Sequence, residues 1–111
     1  MKFLVTYQTD HARFDEWLKI PEDEREAANP QLKTAWDTWM EEHTSSLIET
    51  AGVGRPKRVT AAGTEDSRND LMIYSFVEAV SLEAAADMFK DHPHLGMLNG
   101  WIEIMPVNSI S

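Results

Sequence analysis

Leu71-Met72-Ile73-Tyr74-Ser75-Phe76-Val77 is the stretch that decides the fold, a seven-residue run rich in β-branched and aromatic residues that predicts a strand. Both of its faces are apolar, with Leu71, Ile73 and Val77 on one and Met72, Tyr74 and Phe76 on the other. Such a strand needs cover on both sides. The opening Phe3-Leu4-Val5-Thr6-Tyr7 alternates in the same way, and Trp101-Ile102-Glu103-Ile104-Met105 closes the chain as a last strand.

Helical patterns lie between these strands. Asp10 is a good N-cap for a short helix carrying Phe14, Trp17 and Leu18, which Pro21 ends. Glu22-Asp23-Glu24-Arg25-Glu26 reads as a solvated charge run, either a linker or a further exposed helical turn. Asn29-Pro30 is expected to start the main helix, with Gly52 as its stop. Leu32, Trp36, Trp39, Met40, His43, Leu47 and Ile48 recur within it at spacings of three and four, which places His43 in the middle of an apolar stripe. Residues 54–63 are expected to form a second strand. Its Pro56 and the bases Arg55, Lys57 and Arg58 belong on a sheet edge guarded against further pairing, although the three bases could also meet an anionic ligand. The segment 64–70 reads as a polar turn. Ser81 caps a second main helix bearing Ala85, Met88, Phe89 and His92, which Pro93 stops.

The order is thus strand, helix, strand, strand, helix, strand, with a short extra helix inserted after the first strand. It predicts an α+β fold with a sheet covered by helices on one face. The uncovered apolar face is expected to be buried against a second copy in a two-fold dimer, the alternative being a lid made by the inserted segment.

Length and charge bound the function. A chain of 111 residues with 42% apolar content makes one domain, 1–111, with a modest core. Ten Lys and Arg against 19 Asp and Glu give a formal charge of −9, which repels phosphate backbones and anionic headgroups. Nucleic acid and membrane surfaces are therefore not expected partners. There is no cysteine, hence no thiolate nucleophile and no cysteine metal cage. The apolar start breaks at Gln8-Thr9-Asp10, too early for a signal-peptide core, and no apolar stretch approaches a membrane span. A cytoplasmic location is the expectation. No phosphate-binding loop, nucleophile elbow or dinucleotide fingerprint is present, and no cofactor is expected.

Candidate site residues come from the histidines and the aromatics. His92 and His94 sit where a helix must stop and His43 lies on an apolar stripe. An imidazole in an apolar cavity beside a second polar group can move a proton at neutral pH. The competing assignment makes His43 a core histidine bonded to a backbone carbonyl and leaves His92 and His94 as helix terminators. Three histidines could also bind zinc, although only His92-Pro93-His94 has ligand-like spacing. His11 is expected to face water. Trp39, Tyr74, Phe76 and Trp101 either pack the core or line a pocket for an aromatic small molecule.

Met1-Lys2-Phe3-Leu4-Val5, Ala51-Gly52, Glu78-Ala79-Val80-Ser81-Leu82-Glu83-Ala84-Ala85, Pro93-His94-Leu95, Gly100 and Ile102-Glu103-Ile104-Met105-Pro106-Val107 together resemble the YCII-related proteins of the dimeric α+β barrel, ferredoxin-like group. The resemblance covers most of the chain outside an insertion at about 10–28. It implies a βαββαβ topology, a four-stranded antiparallel sheet and a homodimer formed through the sheets. It further implies an acid/base dyad of a His on the first main helix with an Asp before a Pro. One such protein eliminates chloride from a chlorinated aromatic diol or triol. In this chain the helix His corresponds to His43, the residue before Pro93 is His92 where the family pattern has Asp, and the nearest carboxylate is Asp91, one position away. The expectation is a small cofactor-independent lyase or isomerase acting on an aromatic or carbonyl compound, or else a non-catalytic ligand-binding or subunit-interaction module on the same fold.

Overall fold

The computed structural model describes residues 1–110. Its elements in chain order are β1 (Lys2–Gln8), α1 (His11–Leu18), α2 (Glu22–Ala28), α3 (Leu32–Glu42), β2 (Leu47–Gly52), β3 (Lys57–Thr60), β4 (Gly63–Asp66), β5 (Leu71–Glu78), α4 (Leu82–Met88), a 3₁₀ turn at Pro93–Gly96 and β6 (Trp101–Pro106). Four strands form one antiparallel sheet in the order β2-β5-β1-β6, while β3 and β4 pair only with each other. With α3 and α4 packed on the sheet this is an α+β, ferredoxin-like arrangement.

Strand parity sorts the side chains. Register pairs Phe3 with Val77, Val5 with Ser75 and Ile104, and Tyr7 with Ile73 and Ile102, so these share one face. That face meets Trp36, Trp39 and Met40 of α3 and Ala85, Met88 and Phe89 from α4 and its C-cap. Phe3, Val5 and Val77 are fully buried there. A chain of hydroxyls stitches three strands under the helices: Tyr7 Oη lies 2.9 Å from Ser75 Oγ, which lies 2.7 Å from Thr50 Oγ1. Burial raises the Tyr7 phenol to about 12, outweighing the opposing effect of its Ser75 bond, so it stays protonated. Leu4, Thr6, Tyr74, Phe76, Glu103 and Met105 belong to the opposite face.

The helix caps follow the sequence. Asp10 accepts from the Ala12 and Arg13 amides at 2.9 and 3.1 Å, and Ser81 accepts from Ala84 at 3.1 Å. Other boundaries differ from expectation. Helix α3 ends at Glu42 rather than Gly52, and residues 47–52 form the edge strand β2. The cause is Thr44-Ser45-Ser46: the Thr44 hydroxyl donates back to the Met40 and Glu41 carbonyls at 3.0 and 3.1 Å, and the Ser46 amide folds back onto the His43 carbonyl at 2.9 Å. Asn29 is the C-cap of α2 instead of the N-cap of α3, a place taken by Gln31. The insertion holds two helices, with Pro21 opening the second. Residues 54–63 are not a strand of the main sheet. Their bases lie on and before a separate hairpin, and the expected turn at 64–70 begins inside its return strand β4.

Candidate active site

An open cleft of about 500 Å³ lies between α3 and α4. Thr38, Trp39 and Glu42 line it from α3, His43 from the helix C-cap, Asp87 and Met88 from α4, and Asp91 and Pro93 from the loop beyond. His43 is in the cleft because α3 stops where it does. As the C-cap it leaves the helix stripe, half-buried, and stacks on the Trp39 indole with ring centroids 4.1 Å apart and planes 21° from parallel.

One hydrogen bond fixes the chemistry of this imidazole. His43 Nδ1 lies 2.7 Å from the Trp39 carbonyl oxygen, which can only accept, so Nδ1 carries the proton. In the neutral ring Nε2 then bears the lone pair, and Nε2 has no hydrogen-bond partner among the described residues. The result is an imidazole of fixed orientation on a cleft wall. Two of the three carboxylates around it, Glu42 and Asp91, are exposed and without an ion-pair partner among the described residues, whereas Asp87 is held by Lys90 at 2.8 Å.

His92 and His94 lie deeper, each only 2% exposed. The His92 ring sits among Trp36, Trp39, Phe89 and Tyr7 at centroid distances of 4.4, 4.5, 5.9 and 5.1 Å. Its Nδ1 accepts from the His94 amide at 3.0 Å and caps the 3₁₀ turn, which assigns the ring proton to Nε2. That Nε2 is buried without a hydrogen-bond partner among the described residues. Desolvation, aided by the nearby His94 and His43, lowers the His92 pKa to about 3. His94 donates from Nε2 to the Gln8 carbonyl at 2.7 Å, and burial lowers its pKa too, against the opposing pull of its backbone acceptors.

The site residues expected from the sequence therefore divide. His43, Asp91 and Trp39 share the cleft. His92 touches the far side of this group through Trp39, and His94 backs His92. Tyr74, Phe76 and Trp101 lie across the sheet, where Tyr74 and Phe76 pack edge to face at 5.7 Å and Trp101 donates to Glu103 at 3.0 Å. His11 is partly exposed and paired with Asp70 at 2.8 Å. Glu42 and Asp87 do not stand out in the sequence, because an acid on an amphipathic helix reads as part of its solvated side. Among the described residues no group of three or more His, Asp or Glu side chains is placed to hold a metal ion, and no helix is long and apolar enough to cross a membrane.

The fold is shared with solved structures. One is 5-chloro-2-hydroxyhydroquinone dehydrochlorinase from Burkholderia phenoliruptrix AC1100, solved in complex with 2,5-dihydroxybenzoquinone. It superposes with a TM-score of 0.53 at 10% identity over 97% of this chain and 94% of that one. No family model and no curated protein sequence matches the chain. At this identity the likeness defines the class of fold, an α+β ferredoxin-like domain that also carries a small-molecule enzyme.

Proposed function

We propose that the cleft between α3 and α4 is the active site of a small cofactor-independent lyase or isomerase, with His43 as the base. The observation that carries this reading is the bond from His43 Nδ1–H to the Trp39 carbonyl, which leaves the Nε2 lone pair as the group available for reaction. His43 takes a proton from a carbon or hydroxyl next to a carbonyl or on an aromatic ring. The electron pair left behind either shifts along the ring or carbonyl system, with the proton returned at another atom, or expels a leaving group. Asp91, on the same cleft, stabilises the imidazolium that forms. Glu42 and Asp91 disfavour an anionic ligand, so the substrate is neutral, with an apolar ring that packs beside Met88 and Pro93. His92 and His94 serve as positioning residues, holding the aromatic wall and the turn behind the cleft.

The test is solvent deuterium wash-in. With a panel of neutral cyclic ketones and hydroquinones in D₂O, the wild type is expected to exchange carbon-bound protons, and His43→Asn to slow this by roughly 10²-fold or more. Exchange that is equal in both proteins removes His43 from the chemistry. Binding to both proteins without exchange supports the rival reading, a non-catalytic ligand-binding module.

We further propose that the chain works as a two-fold homodimer joined through the sheet face that α3 and α4 leave open. Leu4, Tyr74, Phe76 and Met105 lie half-buried on that face in the single chain, the kind of apolar surface that a second copy covers. Light scattering is expected to return twice the 12.6 kDa of one chain. Phe76→Glu, which places a charge at the centre of that face, should return the single-chain mass, and a wild-type mass of one chain ends the proposal.

A further inference from the structure

A second cavity lies away from this cleft, where the inserted helix α1 leans on the turn between β2 and β3. Phe14 and Leu18 of α1, with Val53 and Met72, form its apolar wall, while Asp15, Arg55 and Arg68 form its polar end. Its volume is about 130 Å³, close to the ~150 Å³ at which an apolar protein cavity takes up benzene. A single ring fits.

The polar end leaves one cation open. Arg68 donates to Asp15 Oδ2, and Asp15 Oδ1 is buried, closed to an incoming ligand. Lys57, Arg58 and Arg68 are each paired with a carboxylate, whereas Arg55 is exposed and has no ion-pair contact among the described residues, acting on Asp15 by charge alone. The cavity's two guanidiniums and one carboxylate leave it locally positive in a chain of formal charge −9. Asp70, just outside, is engaged by the ring and the backbone amide of His11.

We propose that this cavity is a binding site for a small aromatic monocarboxylate, its ring against Phe14, Leu18, Val53 and Met72 and its carboxylate on Arg55. An Arg guanidinium offers the planar fork that a carboxylate matches. This ligand class is the opposite of the one assigned to the cleft, where unpaired acids disfavour an anion. The two sites are therefore independent, and either assignment can fail without the other.

The experiment is an amide chemical-shift titration of the isotope-labelled protein with benzoate, phenylacetate and benzyl alcohol. At least one of the two carboxylates is expected to shift the amides of Leu18, Val53, Gly54 and Arg55 without shifting His43, and to bind severalfold tighter than benzyl alcohol. Arg55→Gln, a change at an exposed side chain, should weaken that binding tenfold or more while leaving the spectrum of the free protein otherwise unchanged. The proposal is overturned if neither carboxylate shifts these amides, if Arg55→Gln binds as tightly as wild type, or if benzyl alcohol binds as tightly as both carboxylates.

Discussion

Acidification from pH 6.5 to 4.5 is expected to cost this protein roughly 2 kcal/mol of folding stability through His92 alone. The ring is 2% exposed and its folded pKa is about 3, against an unfolded value of 6.5. Well above pH 6.5 both states hold it neutral and it has no pH-dependent effect. Below pH 6.5 the unfolded chain takes up a proton that the folded chain refuses, so stability falls with pH until the folded pKa is reached near 3. Each unit in that window is worth about 1.4 kcal/mol per histidine. His94 is lowered in the same direction by burial and steepens the slope. Asp15 and Asp70 are held below their usual range by Arg68 and His11, so their acid losses begin lower, near the ordinary carboxylate pKa of 3.8. Denaturant titrations at half-unit steps from pH 7 to 4.5 read the slope directly. A slope between one and two protons is expected for the wild type. His92→Asn, which retains an acceptor for the His94 amide, should lower it by one proton. A flat profile would mean that His92 is protonated in the folded state, and would contradict the dry aromatic cage around it.

The same burial explains why this part of the site is hard to read from the sequence. His92-Pro93-His94 reads in the sequence as the stop of the second main helix, whereas α4 ends at Met88 with Phe89 as its C-cap, and His92 instead caps the 3₁₀ turn that follows. That both rings are enclosed is a tertiary fact, set by β1, α3 and the 3₁₀ turn converging on one point. Local pattern carries no trace of it. Strand parity is far more legible: the alternation in β1 and β5 separates the Phe3, Val5 and Tyr7 face from the Tyr74 and Phe76 face. The sequence does not say which face the helices take, and for that reason Trp39 and Tyr74, which lie on opposite sides of the sheet, can be placed in one pocket. The end of α3 is obscured by coincidence of period. Leu47 and Ile48 continue the spacing of Met40 and His43, so a helix and a strand start fit the same residues. Only the hydroxyl cluster at 44–46 separates the two, by offering the last carbonyls of the helix a competing donor.

Gly100→Ala is expected to destabilise the fold by about 3 kcal/mol, at the upper end of the overpacking range. A methyl group there would lie 2.7 Å from His94 Nε2, 2.7 Å from the His94 carbonyl oxygen and 3.0 Å from Cδ2 of the same ring. The ring cannot retreat, because its Nε2 is bonded to the Gln8 carbonyl at 2.7 Å and it packs edge-on against Tyr7 at 5.8 Å. Nor can the backbone of the turn readily shift. The Gly100 amide is bonded to the Met97 carbonyl at 2.7 Å, and the Leu98 carbonyl accepts from the Thr9 hydroxyl at 3.0 Å. Leu98 and Asn99 already occupy the left-handed region, at φ of 50° and 56°, which leaves the turn little freedom to absorb a further displacement. Gly96, four residues earlier, is the internal control, since a methyl group on its Cα would meet nothing within 4 Å among the described residues. Gly96→Ala should stay within about 0.5 kcal/mol of wild type. Thermal denaturation separates the two variants, since about 3 kcal/mol corresponds to a fall of roughly 15 °C in Tm for a domain of this size. Equal melting temperatures for Gly100→Ala and Gly96→Ala would show that His94 is free to move. In that event its bond to Gln8 would not be what ties the 3₁₀ turn to β1 behind the cleft.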